Sequence, residues 1–284
     1  MLQGCSPLAL LNRWSESSDY RVNIDITYGP QARHQLDIYL PANVSAAAPV
    51  VVFFYGGNWN SGERADYRFV GAALASKGFI AVLPDYRLYP QVRYPDFLTD
   101  SALAVRWVFE HIGKSGGDSQ RVFLMGHSAG AYNAAMLALN PEYLRAAGVE
   151  PKRLRGLIGL AGPYDFLPLT GNITKAVFGF PDTPVSTQPI HFASPAAPPM
   201  LLLTGAQDDV VDPGNSSRLA ACLRSYNVPA RLVIYPNLGH RTLIGALAAP
   251  LRGLAPVLDD VASYINNFSA SISADKIAID RVTF

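Results

Sequence analysis

Cysteine is nearly missing from this chain: two residues in 284, Cys5 and Cys222, can build neither a disulfide framework nor a thiolate zinc site, and only a single bridge between them is left open. An excess of charge is missing too. Lys and Arg number 23 against 22 Asp and Glu, a net charge of +1, and no basic stripe runs along the sequence, so nucleic acid is not the expected partner. No apolar run approaches the roughly 18 residues that would span a bilayer. Glycine (23) and proline (22) are scattered, which excludes collagen-like and low-complexity chains. What is plentiful is apolar side chain. At 49% hydrophobic and 16% charged, the sequence holds enough to fill one large core and too much to stay disordered.

The apolar residues alternate between two patterns. Val22 to Thr27 and Gln35 to Leu40, separated by a turn with Gly29-Pro30, read as an antiparallel pair. Val50 to Tyr55 is a short continuous apolar run, as are Phe79 to Leu83, Val122 to Met125, Leu157 to Leu160, Met200 to Thr204 and Leu232 to Tyr235. Such runs are strands buried on both faces of a parallel sheet. Between them, Tyr67 to Ala75, Ser101 to Ile112, Ala129 to Leu139, Ser216 to Tyr226 and Val257 to Phe268 carry apolar residues at helical spacing. Right-handed crossovers then predict a doubly wound, mostly parallel α/β sheet of about eight strands. Phe166 to Pro198, rich in Pro, Thr and Ser, breaks the rhythm and holds one short helix near Ile173 to Phe178. The expected organisation is an N-terminal segment over 1–19, a single α/β domain over 20–270 and a tail over 271–284.

The N-terminus has two readings. Leu2-Gln3-Gly4-Cys5 resembles the end of a bacterial lipoprotein signal without its basic and long apolar parts, which implies a trimmed or mis-started precursor lipidated at Cys5, membrane-anchored or periplasmic. The other reading is an ordinary cysteine and a cytoplasmic protein.

Chemistry concentrates in Gly126-His127-Ser128-Ala129-Gly130, a G-x-S-x-G entered from a strand and left through a small-residue helix. That is the setting of a nucleophile elbow: the serine sits strained on a tight turn, the glycines let neighbouring backbone pass close, and the helix N-terminus aims amides at developing negative charge. A serine hydroxyl needs a base. Of His34, His111, His127, His191 and His240, only His240 follows the last strand in the order serine, acid, histidine. The acid belongs after the preceding strand, where Asp208, Asp209 and Asp212 compete. Asp208, the first turn residue, is the choice; Asp209 and Asp212 read as solvated or helix-capping. The spacing matches no calcium loop, and no metal is expected. Tyr55-Gly56-Gly57-Asn58-Trp59, after the first long parallel strand, supplies backbone amides of Gly57 and Asn58 that, with Ala129, would form an oxyanion hole. It lacks the lysine and the fingerprint of nucleotide loops.

These motifs, together with Asp85-Tyr86-Arg87-Leu88-Tyr89-Pro90 and Gly239-His240, resemble the α/β-hydrolase fold over most of the chain, and within it the carboxylesterases near the hormone-sensitive lipase family and the bacterial feruloyl-esterase-like branch. The resemblance implies Ser128 as nucleophile, Asp208 as acid, His240 as base, and the Gly57–Asn58 loop as oxyanion hole. Tyr55 and Asn58 stand where the family usually has a histidine and a third glycine, which leaves substrate preference open. Tyr86, Arg87 and Asp100 look structural. Trp59 and Tyr132 either line the substrate pocket or pack as core. The connection after Leu160 is too short for a large separate lid. The expected function is therefore a cofactor-free serine carboxylester hydrolase for short-chain or aryl esters. Two alternatives stand beside it: an arylformamidase, on the Gly-Gly-x-Trp pattern of residues 56–59, and a non-catalytic binding module on the same fold.

Overall fold

The order of the strands decides where the loops meet. The computed structural model describes residues 7–13, 20–43 and 47–279. In chain order its strands are β1 (Tyr20–Thr27), β2 (Gln35–Pro41), β3 (Ala48–Phe54), β4 (Ile80–Pro84), β5 (Gly117–His127), β6 (Leu154–Leu160), β7 (Met200–Gly205) and β8 (Ala230–Tyr235). Its helices are α1 (Pro7–Arg13), α2 (Arg68–Ser76), α3 (Asp96–His111), α4 (Ala129–Leu139), α5 (Pro141–Ala146), α6 (Asn172–Phe178), α7 (Gly214–Ser225), α8 (His240–Gly245) and α9 (Val257–Ile279). They build one 8-stranded sheet in the order β1-β2-β4-β3-β5-β6-β7-β8. β2 runs antiparallel to β1 and β4, and every later neighbour pair is parallel, so the loops that leave β3, β5, β7 and β8 open on one edge. Among the described residues no large separate lid covers that edge.

The unbroken apolar runs became the central strands because both sheet faces are covered. Val50 to Phe54, Val122 to Met125 and Leu201 to Leu203 are all inaccessible to water. Each such side chain contributes about 1.5–3 kcal/mol relative to exposure. At the edges the burial alternates or fails: Val22 and Ile24 on β1 and Ile234 on β8 face solvent. α4 is buried along its whole length, which is why its sequence is apolar on every side.

Several boundaries differ from those predicted. β5 starts at Gly117 instead of Val122, because its first residues are only half-buried and carry no apolar run. α3 starts at Asp96, an acidic residue suited to the first turn of a helix, ahead of the expected Ser101. The last helix continues to Ile279 through the predicted tail, since the residues beyond Phe268 include neither Gly nor Pro to stop it. Part of the 1–19 segment is docked. Asn12 on α1 donates to the carbonyls of Ala65 (2.8 Å) and Asp66 (3.1 Å) and accepts from Phe69 N–H (3.1 Å). Cys5 lies outside the described residues, while Cys222 is a half-buried free thiol on α7. The excursion over 166–198 is tied to the domain by Tyr132 Oη to Thr187 C=O (2.8 Å) and closed on itself by Phe166 N–H to Gln188 Oε1 (2.7 Å).

Candidate active site

The turn out of β5 has the geometry its glycines require. Ser128 sits at φ 55°, ψ −123°, a conformation forbidden to most residues and a common mark of a functional site. A Cβ on Gly126 would lie 2.3 Å from the carbonyl oxygen of Gly130, and one on Gly130 would lie 2.0 Å from that of Phe54, so neither position admits a side chain. Ser128 N–H is held by Leu160 C=O at 2.9 Å, and α4 begins at the next residue.

Asp208 follows β7 and His240 follows β8, remote in sequence and joined in space. His240 Nδ1 and Asp208 Oδ2 are 2.9 Å apart, with the carboxylate side chain fully withdrawn from water. The other carboxylate oxygen accepts the amides of Val210 (3.0 Å) and Val211 (2.9 Å). Burial pushes this carboxyl group up, but the hydrogen bonds from His240, Val211 and Val210 outweigh it and hold the group below its ordinary value. An ionised Asp208 therefore fixes the tautomer of His240. Asp209 is exposed, and Asp212 accepts Gly214 N–H (2.9 Å) ahead of α7 and pairs with Arg218 (3.2 Å). No hydrogen bond joins Ser128 to His240 among the described residues, although the ring of His127, the neighbour of Ser128, lies 4.7 Å from that of His240. Such contacts often tighten only with substrate bound.

Facing the elbow is the loop after β3. Gly57 (φ 131°), Asn58 (φ 53°) and Trp59 (φ 58°) are successive positive-φ residues. The Gly57 carbonyl turns back to accept Asn60 N–H (3.1 Å) and Ser61 N–H (3.0 Å). Among the described residues the amides of Gly57, Asn58 and Ala129 donate to no protein acceptor. Arg33 clasps both ends of this loop: Nη2 donates to Tyr55 Oη (2.7 Å) and Gly62 C=O (2.8 Å), and Nε donates to Tyr86 C=O (2.8 Å). Tyr86 Oη returns a bond to Tyr55 C=O (2.8 Å), and Arg87 grips the buried Asp100, so these residues are structural as expected.

Ser128, Ala129, Asn58 and Trp59 border a cavity of about 600 Å³, walled further by Phe166 and Leu169 and edged by Asp165 and Arg218. His240 borders an adjoining recess, and Val210 is common to both. Trp59 is anchored by Nε1–H to Asn133 Oδ1 at 3.0 Å and presents an edge to the cavity. Tyr132 is not a wall residue. It is buried behind Trp59 at 5.2 Å between ring centroids, and its hydroxyl is used by Thr187, so it packs as core.

Sequence reasoning passed over Arg33, Asn133 and His127. The first two act across long sequence separations and leave no local pattern. His127 did leave a signal: a polar residue at the end of a strand buried on both faces must find a partner. Its Nε2 lies 3.1 Å from the main-chain oxygen of His240, and burial, reinforced by His240, pushes its pKa down to about 3. Among the described residues no group of three His, Cys, Asp or Glu is placed to hold a metal ion, and no helix is long and apolar enough to cross a membrane.

Residues 36–223 match the profile of the BD-FAE family. An isoprenylcysteine alpha-carbonyl methylesterase of Arabidopsis thaliana is 31% identical over 87% of this chain and 62% of its own length. A probable carboxylic ester hydrolase, LipM, of Mycobacterium tuberculosis is 31% identical over 68% of this chain and 49% of its own. The chain thus spans about three fifths or less of these two curated relatives. Among solved structures, esterase B of Lactobacillus rhamnosis superposes with a TM-score of 0.80 at 20% identity, covering 94% of this chain and 95% of that one. A truncated carbohydrate esterase from gut microbiota gives 0.78 at 20% identity, covering 89% and 99%. At that identity the structural likeness speaks to the fold alone.

Proposed function

Since this chain belongs to the BD-FAE family, in the carboxylesterase branch of the α/β-hydrolase fold near hormone-sensitive lipase and the feruloyl esterases, we propose that it hydrolyses carboxylic esters through an acyl-enzyme on Ser128. His240 takes the proton of the serine hydroxyl as the oxygen attacks the ester carbonyl. Asp208, ionised and bonded to Nδ1, stabilises the imidazolium that forms. The amides of Gly57, Asn58 and Ala129 take the negative oxygen of the tetrahedral intermediate; one donor of this kind is worth about 2.7–4 kcal/mol in related chemistry. His240 then gives its proton to the departing alcohol. Water, deprotonated by the same imidazole, releases the acid and restores the serine.

The observation that carries this reading is the bonded His240–Asp208 pair together with a strained serine, and with the amides of Gly57, Asn58 and Ala129 free of protein acceptors among the described residues. Among the described residues the site has no large lid, and its cavity of about 600 Å³ suits short-chain or aryl esters. Hydrolysis of p-nitrophenyl esters graded from acetate upward tests both points. Turnover is expected to be highest for the short acyl chains and lost in Ser128→Ala; undiminished turnover in that variant would refute the assignment. The formamidase alternative rests on Gly56-Gly57-Asn58-Trp59 alone, and N-formylkynurenine turnover measured beside that of aryl acetates separates the two.

A further inference from the structure

Three loops carry the triad, and each must hold its height relative to the others. The acid and base loops are stitched by main chain: Ala206 N–H donates to Tyr235 C=O (2.9 Å) and Gln207 N–H to Leu238 C=O (3.0 Å). Gly205 is packed so closely that a Cβ there would lie 2.0 Å from Leu238 O. Among the described residues no main-chain bond ties the nucleophile elbow to the base loop. That tie is a side chain, His127 Nε2 at 3.1 Å from His240 O. We propose that His127 is a positioning residue, whose neutral imidazole donates to the main-chain carbonyl of His240 and so sets the distance from the base to Ser128.

The tautomer follows from the partner. A carbonyl oxygen only accepts, so Nε2 carries the proton and Nδ1 is a bare acceptor. Nδ1 is buried without a partner, against the start of the oxyanion loop: a Cβ on Gly56 would meet it at 3.1 Å and the Ser128 Cβ at 3.0 Å. The ring therefore wedges between oxyanion loop, nucleophile and base. An apolar side chain would fill the same space without stranding Nδ1, but it would take this donor from the His240 carbonyl and leave His240 unheld. The imidazole thus contributes a bond that simple packing would not supply.

This inference rests on His240 being the base, and the two fail differently. Full activity in His240→Ala would remove the base assignment and the role built on it. With that assignment standing, His127→Leu and His127→Gln are compared by kcat and KM on p-nitrophenyl acetate and by the rate of fluorophosphonate labelling, with folding checked by thermal unfolding. The leucine variant is expected to lose about 10–100-fold in kcat, as misplacement of about 1 Å does, with KM within about 2-fold. Labelling slows in step, and glutamine, whose amide reaches the carbonyl, recovers most of the loss. Parental kcat in His127→Leu, or a glutamine variant as slow as leucine, would overturn the proposal. If His127→Leu does not fold, His127→Asn, whose donor falls short of the carbonyl, replaces it: glutamine faster than asparagine supports the role, and equal rates overturn it.

Discussion

At the residue scale, the roles of two buried groups depend on which protonation state the fold supports. Asp208 is kept ionised by three donors in spite of its burial. Asp208→Asn is expected to keep the fold and lose about 10⁴-fold in kcat, because a neutral amide no longer fixes the histidine tautomer; steady-state kinetics on p-nitrophenyl acetate check it. His127 makes the opposite prediction for stability. Its folded pKa is lowered from 6.5 to about 3, so as pH falls through 6.5 the unfolded chain takes up a proton that the folded chain refuses. The folded state loses stability across that window, with the full loss reached near pH 3. The unfolding free energy of the parent, taken from urea titrations, should fall more steeply with acidification than that of His127→Gln, by about 1.4 kcal/mol per pH unit; parallel curves would contradict it. Ser128, Asp208 and His240 could be singled out as candidates because each follows a recognisable strand, and the structure bonds His240 to Asp208. His127 was legible only as the variable residue of the elbow, since its partner is a backbone oxygen 113 residues away.

At the scale of elements, what could be read depended on burial. β3 and β7 announce themselves as unbroken apolar runs because helices cover both their faces. α5 and α8 were missed because six residues give too little periodicity to detect. The loop after β3 could be singled out from its glycines, while its support was invisible: Arg33 lies in the turn between β1 and β2 and reaches the loop only in three dimensions. The guanidinium makes its three bonds as a rigid fork, which an ammonium cannot reproduce. Arg33→Lys is therefore expected to lower kcat about 10-fold and to lower Tm, because Gly62 C=O and Tyr86 C=O lose a charged donor. Parental kcat and Tm in that variant would show that the loop holds its shape unaided.

At the scale of the molecule, a parallel sheet gathers the ends of β3, β5, β7 and β8 along one edge, so that the loops carrying Gly57, Ser128, Asp208 and His240 leave the sheet on the same side. The apolar composition led to that sheet, and the sheet led to the site; the cavity's dimensions and the burial of Tyr132 behind Trp59 needed coordinates, since an aromatic at helical spacing serves wall and core alike. The convergence is tested most directly by intact-protein mass spectrometry after a fluorophosphonate reaction, with the adduct mapped by proteolysis. One adduct on Ser128 is expected, formed at a rate that collapses in His240→Ala and in Asp208→Asn. An adduct on another residue, or labelling of Ser128 at an unchanged rate in both variants, would contradict the account.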